Sequence, residues 1–250
     1  MVAENEHTQR WYTQGVAAKI IEAEKDELED VMAKLYGYHL VFIGDSSLTP
    51  LVETSLILHR VLINPEAAPH SALSSLPSAI EALPLLNDSV DVVILPHTLE
   101  HASNPHEVLR EAHRVLIPEG HVVITGFNPL SLWGLWHGWK QITGKIPRQG
   151  KMLGTNRLRD WLKLLNFQIV SGRNFYFRPP LSSDKWLVRL AFLERWGQNC
   201  WPFFGGAYTL VAVKRVAPLT PIRARFKQEK RIWQTHEGLP KPTTTSIEIE

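Results

Sequence analysis

Between Val90 and Thr125 the chain places two short apolar runs on either side of a helical segment. Val90–Leu95 is apolar apart from Asp91 and stops at Pro96; His121–Thr125 is short and β-branched. Between them, Val108, Leu109, Ala112, Val115 and Leu116 share one face of a helix predicted over Asn104–Leu116. Asn104 suits the N-cap and Pro105 the first helical position. Pro118-Glu119-Gly120 reads as the turn into the second run. Strand, helix and strand at this spacing require a parallel sheet with helices packed on its faces.

The flanks extend the same pattern. Arg10–Tyr36 reads as one helix, with Val16, Ile20, Leu28, Val31, Met32 and Leu35 at helical spacing and Gly37 as its stop. The acid run Glu22–Asp30, interleaved with Lys25, reads as a solvated face. His39–Ile43 is a buried first strand followed by Gly44, and Leu56–Ile63 a second, ended by Asn64-Pro65. Ala67–Ala79 is rich in Ser, Ala and Pro and gives no assignable element. Asn156–Leu165 and Asp184–Trp196 read as helices, and Phe167–Gly172 and Tyr208–Lys214 as closing strands. From Val216 apolar periodicity fades, which predicts a mobile tail. The expected organisation is an N-terminal helical segment (1–38), an α/β domain (39–215) with an insertion at about 129–150, and a basic tail (216–250).

Composition excludes some classes. A net charge of +2 means that any nucleic-acid contact must be local. The single cysteine, Cys200, excludes an intramolecular disulfide and a multi-cysteine zinc site. The N-terminus lacks a signal-peptide pattern, and no run reaches the roughly 18 apolar residues of a membrane span. The expected compartment is cytoplasmic, with peripheral contact at the inner membrane left open.

Several motifs carry a resemblance. Leu83-Pro84-Leu85, then Asn87-Asp88-Ser89-Val90-Asp91-Val92-Val93, then His97-Thr98-Leu99-Glu100-His101, then Arg110-Glu111-Ala112-His113-Arg114-Val115-Leu116 and Pro118-Glu119-Gly120 follow in order. This run is similar to the middle of the type 11 S-adenosylmethionine-dependent methyltransferases. Leu35-Tyr36-Gly37-Tyr38-His39-Leu40, Thr125-Gly126-Phe127-Asn128-Pro129-Leu130-Ser131 and Trp161–Phe167 further resemble its YafS-like bacterial branch. The resemblance implies a Rossmann-like class I fold: a mostly parallel seven-stranded sheet with helices on both faces. It also implies S-adenosyl-L-methionine as cofactor, with Gly44, Asp45, Ser46, Asn64, Ile80, Glu81, Pro96 and His97 lining its site.

The donor half of the pattern is eroded. Where the family has Asp-x-Gly-x-Gly-x-Gly, this chain has Ile43-Gly44-Asp45-Ser46-Ser47-Leu48-Thr49. Asn64, with Glu66 as the alternative, stands where the family places an acid for the ribose, and Ala79 where it places an Asp for adenine. An Asn can still donate and accept. Three weakened contacts at about 1 kcal/mol each would cost roughly a hundredfold in affinity if additive.

Methyl transfer from a sulfonium needs alignment and sometimes a base. His101 and Glu100, just past the fourth strand, are the catalytic candidates; helix capping is their structural alternative. The histidine spacings match no metal motif, and no metal is expected. Arg110 and Arg114 share a helix face and read as surface or capping charges. Trp133, Trp136 and Trp139 make an apolar helical face that can cover an acceptor, lie on a membrane surface, or pack on the domain. The basic stretch Arg223–Arg231 can meet nucleic acid or anionic lipid. Two functions therefore stand: a methyltransferase for a small-molecule or lipid-like acceptor, and a non-catalytic binding protein on the same fold.

Overall fold

The structure, a computed structural model, describes residues 15–65, 73–142, 150–178, 201 and 203–216. Seven strands form one sheet: β1 (His39–Ile43), β2 (His59–Asn64), β3 (Ser74–Pro77), β4 (Val90–Pro96), β5 (Leu116–Phe127), β6 (Phe167–Phe175) and β7 (Ala207–Lys214). Their order is β3-β2-β1-β4-β5-β7-β6. The first five neighbours run parallel, while β7 runs antiparallel to both β5 and β6.

Side chains alternate across the strands, so two cores form. On one face Val41, Ile43, Val93, Ile124 and Leu210 meet α3 (Pro105–Val115) and α5 (Thr155–Leu164). On the other, Phe42, Leu62, Val92, Ile94 and Val123 meet α1 (Gly15–Met32), a 3-10 helix (Ser46–Val52) and Trp133 of α4 (Leu132–Ile142). A four-residue helix, α2 (Thr98–His101), follows β4.

Several elements differ from the sequence reading for identifiable reasons. The α1 helix stops at Met32, because Lys34 and Leu35 bond back only three residues and tighten the chain. The second strand starts at His59; Leu56 and Leu58 are exposed, and only Ile57 is buried before it. β3 was unreadable because it is four residues long and mostly exposed. The Pro118–Gly120 turn is instead an irregularity within β5, which already pairs with β4 at Leu116 and shifts register before His121. Asn104 offers α3 its carbonyl, to Glu107 and Val108 N–H, and no side-chain cap. The expected helix over Asp184–Trp196, Cys200, Glu66 and the basic tail Arg223–Arg231 lie outside the described residues.

Three charged side chains set local geometry. The Asp91 carboxylate accepts from the N–H groups of Tyr38 and His39 at 3.0 and 2.9 Å, fixing where β1 begins beside β4. Arg114 donates to the carbonyls of Leu83 and Leu85 and to Asn87, while its partner Glu111 accepts from Leu83 N–H. The pair clamps the segment leading into β4. Arg110 pairs with Glu107 at the surface, as read from sequence. Among the described residues no helix is long and apolar enough to cross a membrane.

Candidate functional site

Parallel pairing brings the carboxyl ends of β1, β2, β4 and β5 to one edge, where ligands of open α/β sheets sit. Gly44 leaves β1 with φ +154°, a conformation that side chains rarely adopt. A Cβ there would stand 3.1 Å from the Thr98 hydroxyl. Thr98 in turn donates to the last β1 carbonyl, Ile43, and so ties the β1 loop to the β4 loop. Asp45 caps the 3-10 helix by accepting from Ser47 N–H at 2.8 Å. Leu48 and Leu51, three apart, fall on the same side of that helix and sink into the core with Phe42 and Leu62. The loop that glycines leave open in the family is wound and anchored here.

Beneath the β4 loop lies a buried charge network. His97 is 1% exposed and takes a left-handed backbone at φ 52°. Its Nε2 lies 3.0 Å from Glu24 of α1 and its Nδ1 3.3 Å from Glu100. Burial alone lowers the His97 pKa, but the Glu24 charge and the hydrogen bonds to Glu100 and Glu24 outweigh it and raise it to about 10. The ring is therefore an imidazolium at neutral pH, with both nitrogens donating. It stacks on Phe127 at 4.0 Å, and Phe127 stacks on Trp133 at 4.7 Å. Glu100 also accepts from Phe127 N–H at 2.5 Å. Its Oε1 and the Tyr208 hydroxyl both crowd the point where a Cβ on Gly126 would stand, at 3.0 and 2.6 Å. Only glycine fits there.

The network changes how several residues are read. Glu24 does not belong to a solvated face; it is fully buried. The signal was present: Glu24 falls midway between Ile20 and Leu28, four residues from each, inside the apolar stripe. Trp133 is 2% exposed and packs on the domain against Phe127. Trp136 is half-buried, and Trp139 is exposed. His97 and Glu100 are spent on joining α1, β4 and β5.

His101 stands apart. It is exposed yet crowded by the chain around it, and this desolvation lowers its pKa; Glu100 opposes the shift, His97 adds to it, and Asp45 opposes it. The imidazole is thus kept neutral, and Asp45 of the β1 loop is near enough to act on it. Asn64, 9% exposed, closes β2, and its carbonyl accepts from Ser78 N–H. Ile80 and Glu81 follow β3, half-buried; Ser46 opens the 3-10 helix after β1, and Pro96 ends β4. The edge brings together Gly44, Asp45, Ser46, Asn64 and Pro96, with His101 within electrostatic reach of Asp45; Ile80 and Glu81 follow the next strand outward. Phe127, Thr98 and Tyr208 were not singled out from sequence, because only strand register makes them neighbours.

A sheet of this order, with its reversed strand and polar loops at the carboxyl edge, is the Rossmann-like class I methyltransferase fold. A family model described as a methyltransferase domain matches residues 58–124. The chain is 33% identical over 214 residues to the protein YafS of Escherichia coli K12, a match spanning 83% of this chain and 82% of that protein. An S-adenosylmethionine-dependent methyltransferase of Thermotoga maritima superposes with a TM-score of 0.60 at 17% identity, over 84% of this chain and 96% of that one. One from Archaeoglobus fulgidus gives 0.56 at 18% identity, over 78% and 94%. The chain belongs to the type 11 methyltransferase family, in the branch that contains YafS.

Proposed function

We propose that the chain is an S-adenosylmethionine-dependent methyltransferase acting on a small-molecule or lipid-like acceptor. The observation that carries this reading is the convergence of Asp45, Asn64 and His101, far apart in sequence, at one sheet edge. The residues present suit the donor. Asn64 offers a largely buried amide that can both donate to and accept from a ribose. Ile80 offers an apolar flank for adenine, and the Asp45 carboxylate suits an ammonium group. The bound cofactor supplies an electrophilic methyl group. His101, held neutral, takes the acceptor's proton on a ring nitrogen. The buried Glu24–His97–Glu100 network ties α2, which ends at His101, to α1 and β5.

A second reading is favoured by one observation. Thr98 bridges β1 to β4, and the stretch after Gly44 is wound into a 3-10 helix whose Leu48 and Leu51 are buried. A non-catalytic protein on this fold needs no donor there; it would act through the exposed end of α4 or the Arg223–Arg231 stretch. Isothermal titration with S-adenosylhomocysteine separates the two. Micromolar to millimolar binding that weakens in Asn64→Ala supports the enzyme. No heat at millimolar ligand leaves the non-catalytic protein.

A further inference from the structure

A cavity of about 340 Å³ opens at the β6 side of the same sheet edge, within the size range of small-molecule sites. Strand register places it level with the site: Phe175 of β6 pairs with Ala207 of β7, which pairs with Phe127 at the end of β5. Two cations from different elements line it, Arg159 of α5 and Arg173 of β6. Phe177, Phe203 and Tyr208 line it as well.

The charges do not cancel. The single acid in the lining, Glu27, lies 3.5 Å from Arg173. Arg159 has no ion-pair partner among the described residues, and its position is prepared by the backbone. A Cβ at Gly172 would stand 2.9 Å from the Arg159 Nη2 and 2.7 Å from Leu210. Any side chain at residue 172 would push the guanidinium off the strand. An arginine presented next to aromatic walls matches an anionic oxygen group carried on a flat apolar body. Tyr208 links the cavity to the β4 loop, since its hydroxyl and the Glu100 carboxylate converge on Gly126.

We infer that this cavity is a binding site for a small aromatic or apolar anion, a carboxylate or phosphate, whose charge is held by Arg159, while Arg173 stays paired with Glu27 on the opposite face of β6. Its role as the acceptor site rests on the methyltransferase reading above; its anion binding does not. The test is titration calorimetry of the full chain with benzoate, phenyl phosphate and neutral benzyl alcohol, with and without S-adenosylhomocysteine. The expected result is that at least one anion binds and benzyl alcohol does not. Replacing Arg159 by Gln should weaken that anion by at least about tenfold, with Arg159→Lys partly restoring it. The thermal midpoint and the S-adenosylhomocysteine affinity should stay unchanged, showing that the variant is folded. Preference between the two anions identifies the charged group. Equal affinities in the parent and Arg159→Gln, equal binding of benzyl alcohol, or no anion binding at millimolar concentration would each overturn the proposal. Anion binding without S-adenosylhomocysteine binding overturns the acceptor role and leaves the anion site standing.

Discussion

His97 sits where three elements meet, and its contacts are measurable. Removing one partner of a buried ion pair typically costs about 3–5 kcal/mol, because the other charge is left unpaired. Glu24→Ala should therefore lower stability in urea denaturation by an amount of that order, whereas exposed Glu22→Ala should stay within about 0.5 kcal/mol. A pH effect follows with a fixed sign. The folded-state pKa of His97 is raised, from 6.5 to about 10. Its contribution is complete below the unfolded value and is lost as pH rises through about 10. The denaturation midpoint should fall over that alkaline window, and His97→Gln should flatten the fall. An unchanged slope would mean that His97 is neutral in the folded chain.

Helices and strands carry consequences of their own. α4 divides its tryptophans: Trp133 stacks on Phe127, while Trp139 is exposed. Trp133→Ala should cost about 3–5 kcal/mol and Trp139→Ala less than about 0.5 kcal/mol in the same denaturation assay. The segment before β4 depends on α3 through Arg114. Arg114→Ala strands the carbonyls of Leu83 and Leu85 and should cost about 1.5–3 kcal/mol, with faster hydrogen exchange at Leu83 as the local readout. Arg110→Ala, by contrast, removes only an exposed pair and should be nearly silent.

For the whole molecule, ligand binding and stability are linked. A ligand that binds only the folded chain stabilises it by about 2.7 kcal/mol at a hundred times its Kd. S-adenosylhomocysteine should therefore raise the thermal midpoint, and Asn64→Ala should reduce the rise at fixed ligand. No rise at any millimolar concentration would return the chain to the non-catalytic reading. Much of this molecule was legible in its sequence. β1, β4 and α3 fall where their apolar patterns put them, because strand burial and helical periodicity are local signals, while β5 starts earlier than its pattern, at Leu116. The donor-side candidates Gly44, Asp45, Ser46, Asn64 and Pro96 do reach one edge, because strand ends in a parallel sheet must.

Fold class, family and the eroded glycine loop were determined by the sequence alone, since each resides in contiguous motifs. Which charges are buried was decided only by the tertiary structure. Glu22, Glu24 and Glu27 look alike in a run of acids, yet α1 turns Glu24 onto the sheet and against His97. Register across β5, β7 and β6 likewise gathered Gly126, Tyr208, Arg173 and the aromatic wall of the cavity. The reason is physical: burial and pairing depend on which faces meet across the sheet, and that is a property of strand order rather than of any single segment.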